Sequence, residues 1–169
     1  MARATAPLPL LGWKETVGFP AWGLTLKALI DPASPLSTLA VEQVSPLRRM
    51  RDASGKRRLV LRLAVPVARG RGRLKVVHAF YHRRTRLGEN LGRCYIVRVP
   101  VCLGRWEWEA ELALLLGAER RQHFLHLGRA DLAGRFRLDP ALSYLHAPPR
   151  RRFEPEPSLP LPADRERKP

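Results

Sequence analysis

A chain of 169 residues is long enough for one domain with a real core and requires no second. Its 31 Lys and Arg against 15 Asp and Glu leave a net charge of +16 and a pI near 11.4. Such a field favours an anionic partner, whether nucleic acid, an acidic polypeptide or an anionic surface, although a codon bias toward arginine raises the same count. No apolar run approaches the ~20 residues needed to cross a bilayer, so no membrane span is expected.

Residues 1–10 read as an N-terminal tail. The stretch has one charge, Arg3, and its short apolar run is broken by Pro7 and Pro9, so it lacks a signal-peptide core. Trp13 to Val17 and Leu24 to Ile30 read as short strands joined through Gly18-Phe19-Pro20 and Trp22-Gly23. Pro32 and Pro35 flank a tight loop after Asp31, and residues 36–44 return as a strand or short helical turn. Residues 57–67 alternate (Leu59, Leu61, Leu63, Val65), the period of a half-buried strand. Residues 74–81 read as another strand, and 93–103 with 106–116 as a hairpin about Gly104-Arg105. Residues 124–127 and 136–138 are short strands around a small helical turn begun at Arg129.

Many short strands separated by Gly and Pro predict an all-β domain over residues 11–146, a small closed or folded-over sheet with short helical turns. Composition turns to Pro, Arg and Glu from residue 147, which reads as a disordered tail over 147–169. Cys94 and Cys102 share one strand and stand too far apart at ~3.3 Å per residue for a local disulfide. Two free thiols suit a reducing cytoplasm.

One aspartate stands out, Asp31 in Leu29-Ile30-Asp31-Pro32-Ala33-Ser34, at the end of an apolar strand. The approach to it, Gly12-Trp13-Lys14-Glu15 through Phe19-Pro20-Ala21-Trp22-Gly23-Leu24 to Leu26-Lys27-Ala28, resembles the retropepsin-like family labelled "ATP-dependent zinc protease" (RimB-type proteins). A second block, Leu103-Gly104, Trp106-Glu107-Trp108 and Glu111-Leu112, continues the resemblance. It closes with Leu127-Gly128-Arg129-Ala130-Asp131-Leu132-Ala133-Gly134-Arg135-Phe136 and Asp139-Pro140-Ala141-Leu142-Ser143-Tyr144-Leu145. The likeness spans residues 11 to 145. It implies a retropepsin-like β-barrel, a homodimer and a catalytic Asp31 from each copy. It also implies support of the loop by Gly128 and Arg129 and an acidic or polyglutamate peptide as substrate.

Aspartic peptidases use two carboxylates sharing one proton, because like charges about 3 Å apart cannot both ionise. The family carries Asp-Thr-Gly-Ala at this loop, whereas this chain carries Asp31-Pro32-Ala33-Ser34. Pro32 removes a hydroxyl and a backbone donor. Ala33 makes any φ > 0 at its position costly. The N–H groups of Ala33 and Ser34 stay available to the carboxylate, and Ser34 or Ser37 could supply a hydroxyl. Two readings follow: an altered peptidase site, or an Asp-Pro turn in a non-catalytic domain that binds an acidic protein or RNA.

No cofactor is expected. His78 and His82, and His123 and His126 on opposite faces of any strand, complete no zinc set, and no His-Glu-x-x-His occurs. Gly55-Lys56 has Met50 where a phosphate loop needs its first glycine. The strongest charge feature runs from Arg48 to Arg86. Within it Arg57, Arg58, Arg71 and Arg73 are the candidate contacts to an anionic partner, with Phe80 and Tyr81 as the nearby aromatics. Arg129 is expected to pair with a carboxylate such as Asp131 or Glu111.

Overall fold

Leu24, Leu26, Ala28 and Ile30 alternate with exposed Thr25 and Lys27, and one face of that strand is buried while the other meets solvent. The computed structural model describes residues 7–67, 73–87, 92–118 and 121–146. Within them the elements are β1 (Leu10–Leu11), β2 (Lys14–Phe19), β3 (Leu24–Ile30), β4 (Ser37–Val41), β5 (Gln43–Val44) and β6 (Arg48–Arg51). They continue as β7 (Arg57–Pro66), β8 (Leu74–Arg86), β9 (Arg93–Leu103), β10 (Trp106–Leu116), β11 (Leu125–Leu127), the single-turn helix α1 (Arg129–Leu132) and β12 (Arg137–Leu138).

Strand order β10-β4-β11-β3-β2-β9 returns on itself through the β9–β10 hairpin, which closes a barrel of six strands. The expected all-β barrel is the observed fold. Strand β9 has β8 beside Arg93–Arg98 and β2 beside Cys102 on the same edge. There the sheet splits, and β8, β7, β6 and β5 leave the barrel as a wing. Leu61, Leu63, Val65, Val77 and Ala79 of the wing join the core that Val17, Phe19, Leu39 and Leu125 form inside the barrel.

The described strands depart from the sequence reading in a few places. Strand β8 continues past Tyr81 to Arg86, because a bulge between Tyr81 and Arg83 restarts its pairing with β9. Strand β6 has no apolar alternation, yet its register on β7 is complete from Arg48 opposite Val60 to Arg51 opposite Arg57. The segment 36–44 is split into β4 and β5. Strand pairing also starts ahead of residue 11: Leu10 pairs with Arg137, whose N–H and Nε donate to the carbonyls of Pro9 and Leu8 at 2.8 and 3.0 Å. The tail expected from residue 147 lies outside the described residues. Cys94 and Cys102 are free and buried on β9, and burial pushes both thiols up. No helix among the described residues is long and apolar enough to cross a membrane.

Candidate functional site

Strand β11 lies between β3 and β4, parallel to the first and antiparallel to the second. This insertion positions Asp31. As β3 ends, the Asp31 N–H donates to the Leu127 carbonyl of β11 at 2.9 Å. With Ile30 and Leu127 buried in the barrel, alternation turns Asp31 and His126 outward.

The loop then folds onto its own carboxylate. Ala33 and Ser34 donate their N–H groups to Oδ1 at 3.2 and 3.4 Å, and the Ser34 hydroxyl donates to Oδ2 at 2.6 Å. The Ser34 hydroxyl is the main reason the carboxyl sits below the usual aspartate range, ahead of the opposing effect of burial. His126 Nδ1, 3.8 Å from Oδ2, adds to the lowering. Of the two serines the sequence offered, Ser34 supplies the hydroxyl. Ala33 carries no backbone cost, since among the described residues Tyr144 is the only non-glycine at positive φ. Pro32 is exposed.

Behind the loop stands the Leu127-Gly128-Arg129 turn. A Cβ on Gly128 would fall 2.3 Å from the Leu36 carbonyl carbon, so only glycine fits. The Gly128 N–H donates to Ser37 Oγ at 2.9 Å, and that hydroxyl donates in turn to Asp131 Oδ2. Trp108 Nε1 donates to Asp131 Oδ1 at 2.8 Å. Asp131 and Ser37 are buried, and burial pushes the Asp131 carboxyl up against the pull of these donors. Further along the turn, the Arg129 N–H donates to the Ser34 carbonyl at 2.9 Å. The Arg129 guanidinium donates to the carbonyls of Pro32 and Ala33 at 3.1 and 3.3 Å. The expected Arg129–carboxylate pair does not form. Asp131 is taken by Ser37 and Trp108, and Glu111 by Arg98, Arg83 and His82 at 2.9, 3.1 and 3.2 Å.

The His126–Asp31 approach and the Trp108–Asp131–Ser37 chain were not foreseen from sequence. Outward alternation at Leu125-His126-Leu127 was the available signal, but only the strand order places it beside Asp31. The expected separation of His123 from His126 also fails, because His123 precedes β11 and the two rings stand edge-on at 6.3 Å. Among the described residues no three His, Cys, Asp or Glu side chains group as metal ligands. His123 opens onto a groove of about 580 Å³ whose walls include Lys14, Lys27, Phe124 and Tyr144.

The described candidate anionic contacts lie on the wing, apart from this loop. Arg57 is exposed on β7. Arg58 is tied to Asp52 at 3.1 Å and lies over the Phe80 ring at 5.5 Å. Arg73 is exposed just before β8, and Arg71 lies outside the described residues.

No family model and no curated protein matches the chain. Among solved structures, the crystal structure of Lpg0085 from Legionella pneumophila subsp. pneumophila str. Philadelphia 1, a protein of unknown function (DUF785), is similar. It has a TM-score of 0.64 and 20% identity over 81% of this chain and 97% of that one. At this identity the likeness establishes the shared fold.

Proposed function

We propose that this chain is a retropepsin-like aspartic endopeptidase domain, in which Asp31 supplies one of two carboxylates and a second copy supplies the other. The observation that carries the reading is the Asp31 loop. An outward carboxylate at a strand end is held by the Ser34 hydroxyl and two N–H groups, with a glycine-dependent turn packed behind it. Asp31 is the base. Ionised at neutral pH as an ordinary aspartate is, it takes a proton from a water that attacks the peptide carbonyl. The second Asp31, forced to hold the shared proton, is the acid. Lys14 and Lys27, which line the groove onto which His123 opens, suit an acidic peptide substrate.

One feature favours a second reading, a non-catalytic domain that binds an acidic partner. Pro32 brings no hydroxyl with which two loops could tie together, and its carbonyl is engaged by Arg129 of its own chain. One experiment separates them. Cleavage of acidic peptides is measured for the natural chain, for Asp31→Asn, and for Pro32→Thr with Ala33→Gly, alongside sedimentation to count copies. The peptidase reading expects turnover lost in Asp31→Asn with the fold kept, and raised turnover with a tighter dimer in the restored loop. No cleavage by the natural or the restored chain, together with acidic-partner binding that Asp31→Asn leaves unchanged, favours the binding domain instead.

A further inference from the structure

The positive charge is segregated. Residues 48–98 hold 16 of the 31 Lys and Arg but only 2 of the 15 Asp and Glu. That stretch is the wing together with the half of β9 that borders it.

Strand alternation gathers part of this charge on one face. From buried Leu61, the step back along β7 reaches Leu59 and Arg57, and the β6 register sets Arg49 opposite Leu59 and Arg51 opposite Arg57. Ala79 lies opposite Leu61, which puts Tyr81 on the same face, opposite Val97. Beyond the bulge the face continues with Arg84 opposite Tyr95 and Arg86 opposite Arg93. All six arginines are exposed, and among the described residues none pairs with a carboxylate.

Two directly opposed Arg–Arg pairs work against strand pairing, and no carboxylate among the described residues neutralises them. Between them lie two aromatic rings. Tyr81 and Tyr95 meet edge-on at 6.0 Å, and the Arg84 guanidinium covers the Tyr95 ring at 4.8 Å. A sheet face of exposed guanidinium groups around two half-buried rings matches a chain that alternates phosphates with exposed bases. Carboxylates of an acidic peptide would satisfy the arginines but give the rings no flat partner. A duplex buries its base faces, and a broad sheet face cannot follow them into a groove.

We propose that this face of the wing binds single-stranded RNA, with phosphates on the six arginines and bases stacked at Tyr95–Arg84 and Tyr81. RNA is the nucleic acid whose loops and ends ordinarily present unstacked bases.

The test is fluorescence anisotropy on the full chain. Probes are a labelled uridine-rich RNA of about 12 nucleotides, the matching single-stranded DNA, duplex DNA and a glutamate peptide of equal charge. If about five phosphates are engaged, RNA affinity falls roughly 100-fold between about 50 and 200 mM salt. Arg86→Ser with Arg93→Ser weakens RNA binding about ten-fold and flattens that slope by about 1.4. Tyr95→Leu keeps an apolar side chain, and is expected to cost RNA affinity about five-fold or more while sparing the glutamate peptide. Thermal melts of each variant verify the fold, and the surface Arg pair decides the matter even where Tyr95→Leu unfolds. Unchanged RNA affinity in the Arg pair variant overturns the assignment. So does equal weakening of RNA and peptide by Tyr95→Leu, or tighter binding of peptide, duplex or single-stranded DNA than of RNA.

Discussion

Two aspartates in this fold are held in nearly the same way. Asp52, in the β6–β7 turn, accepts the Ser54 hydroxyl at 2.6 Å and the N–H groups of Ser54 and Lys56, both at 3.0 Å. Asp31 accepts the Ser34 hydroxyl at the same 2.6 Å and two N–H groups. Both carboxyls fall below the ordinary range, Asp52 to about 2. In each an Asp-x-Ser or Asp-x-x-Ser turn supplies the largest lowering through its own serine hydroxyl. The two differ in what stands behind them. A Cβ on Gly55 of the Asp52 turn meets nothing within 4 Å, whereas one on Gly128 behind Asp31 strikes backbone. The Asp52 loop serves its hairpin, while the Asp31 loop is clamped by β11 and α1, elements distant in sequence.

The largest expected effect tests that contrast directly. Gly128→Ala must push Leu36 and Ser37 away from the turn and should cost about 3 kcal/mol or more in denaturant unfolding. Gly55→Ala meets open space and pays only for its left-handed φ of +79°, about 1–2 kcal/mol. Equal losses would break the distinction between a packed loop and a free one.

The next effect down comes from Asp131, the buried acceptor beneath the turn. Asp131→Ala strands the Ser37 hydroxyl and the Trp108 N–H and should cost about 2–3 kcal/mol. Its pH signature has a definite sign. Burial raises the folded pKa above the unfolded value, so between the two the folded state keeps the proton that the unfolded state releases. Stability from this group is full below the unfolded value and is lost as pH rises through the folded one. Urea midpoints followed against pH should show that decline in the natural chain and not in Asp131→Asn. A decline that persists in Asp131→Asn assigns it to another group.

Much of the frame was legible because its strands alternate. Leu59, Leu61, Leu63 and Val65 announce β7, and Gly104-Arg105 between two apolar runs announces the β9–β10 hairpin. Asp31 and the Gly128-Arg129 turn were visible as motifs. Their clamp was not. Strand β11 is three residues long and reaches its place between β3 and β4 only through the closed barrel. Arg129 then meets Pro32 and Ala33 across separations of 97 and 96 residues. Local periodicity carries no information at that range. It also misled at β6, where Arg48-Arg49-Met50-Arg51 lacks an apolar face because its strand lies at the edge of the wing.

The smallest effect is a titration, and it compares the two turns on equal terms. Ser34→Ala removes the strongest influence lowering the Asp31 pKa, and Ser54→Ala removes the same influence from Asp52. Both pKa values should rise, as followed by carboxyl-carbon NMR. For each group a depressed folded pKa contributes stability that is present above the unfolded value and lost as pH falls through the folded one. Each variant therefore should lose part of its advantage at neutral pH and show less acid-side decline. The turns should then diverge in what remains. Asp52 retains Arg58 at 3.1 Å, so part of its lowering should remain in Ser54→Ala. Asp31 retains its backbone donors and His126, a longer contact at 3.8 Å. In Ser34→Ala the residual lowering at Asp31 should shrink further with His126→Gln, while Asp52 stays where it was. If His126→Gln leaves the Asp31 titration unmoved, the histidine is a neighbour without electrostatic hold on the carboxylate. The Asp31 turn would then rest on its own donors and its packing, whereas Asp52 keeps Arg58 besides.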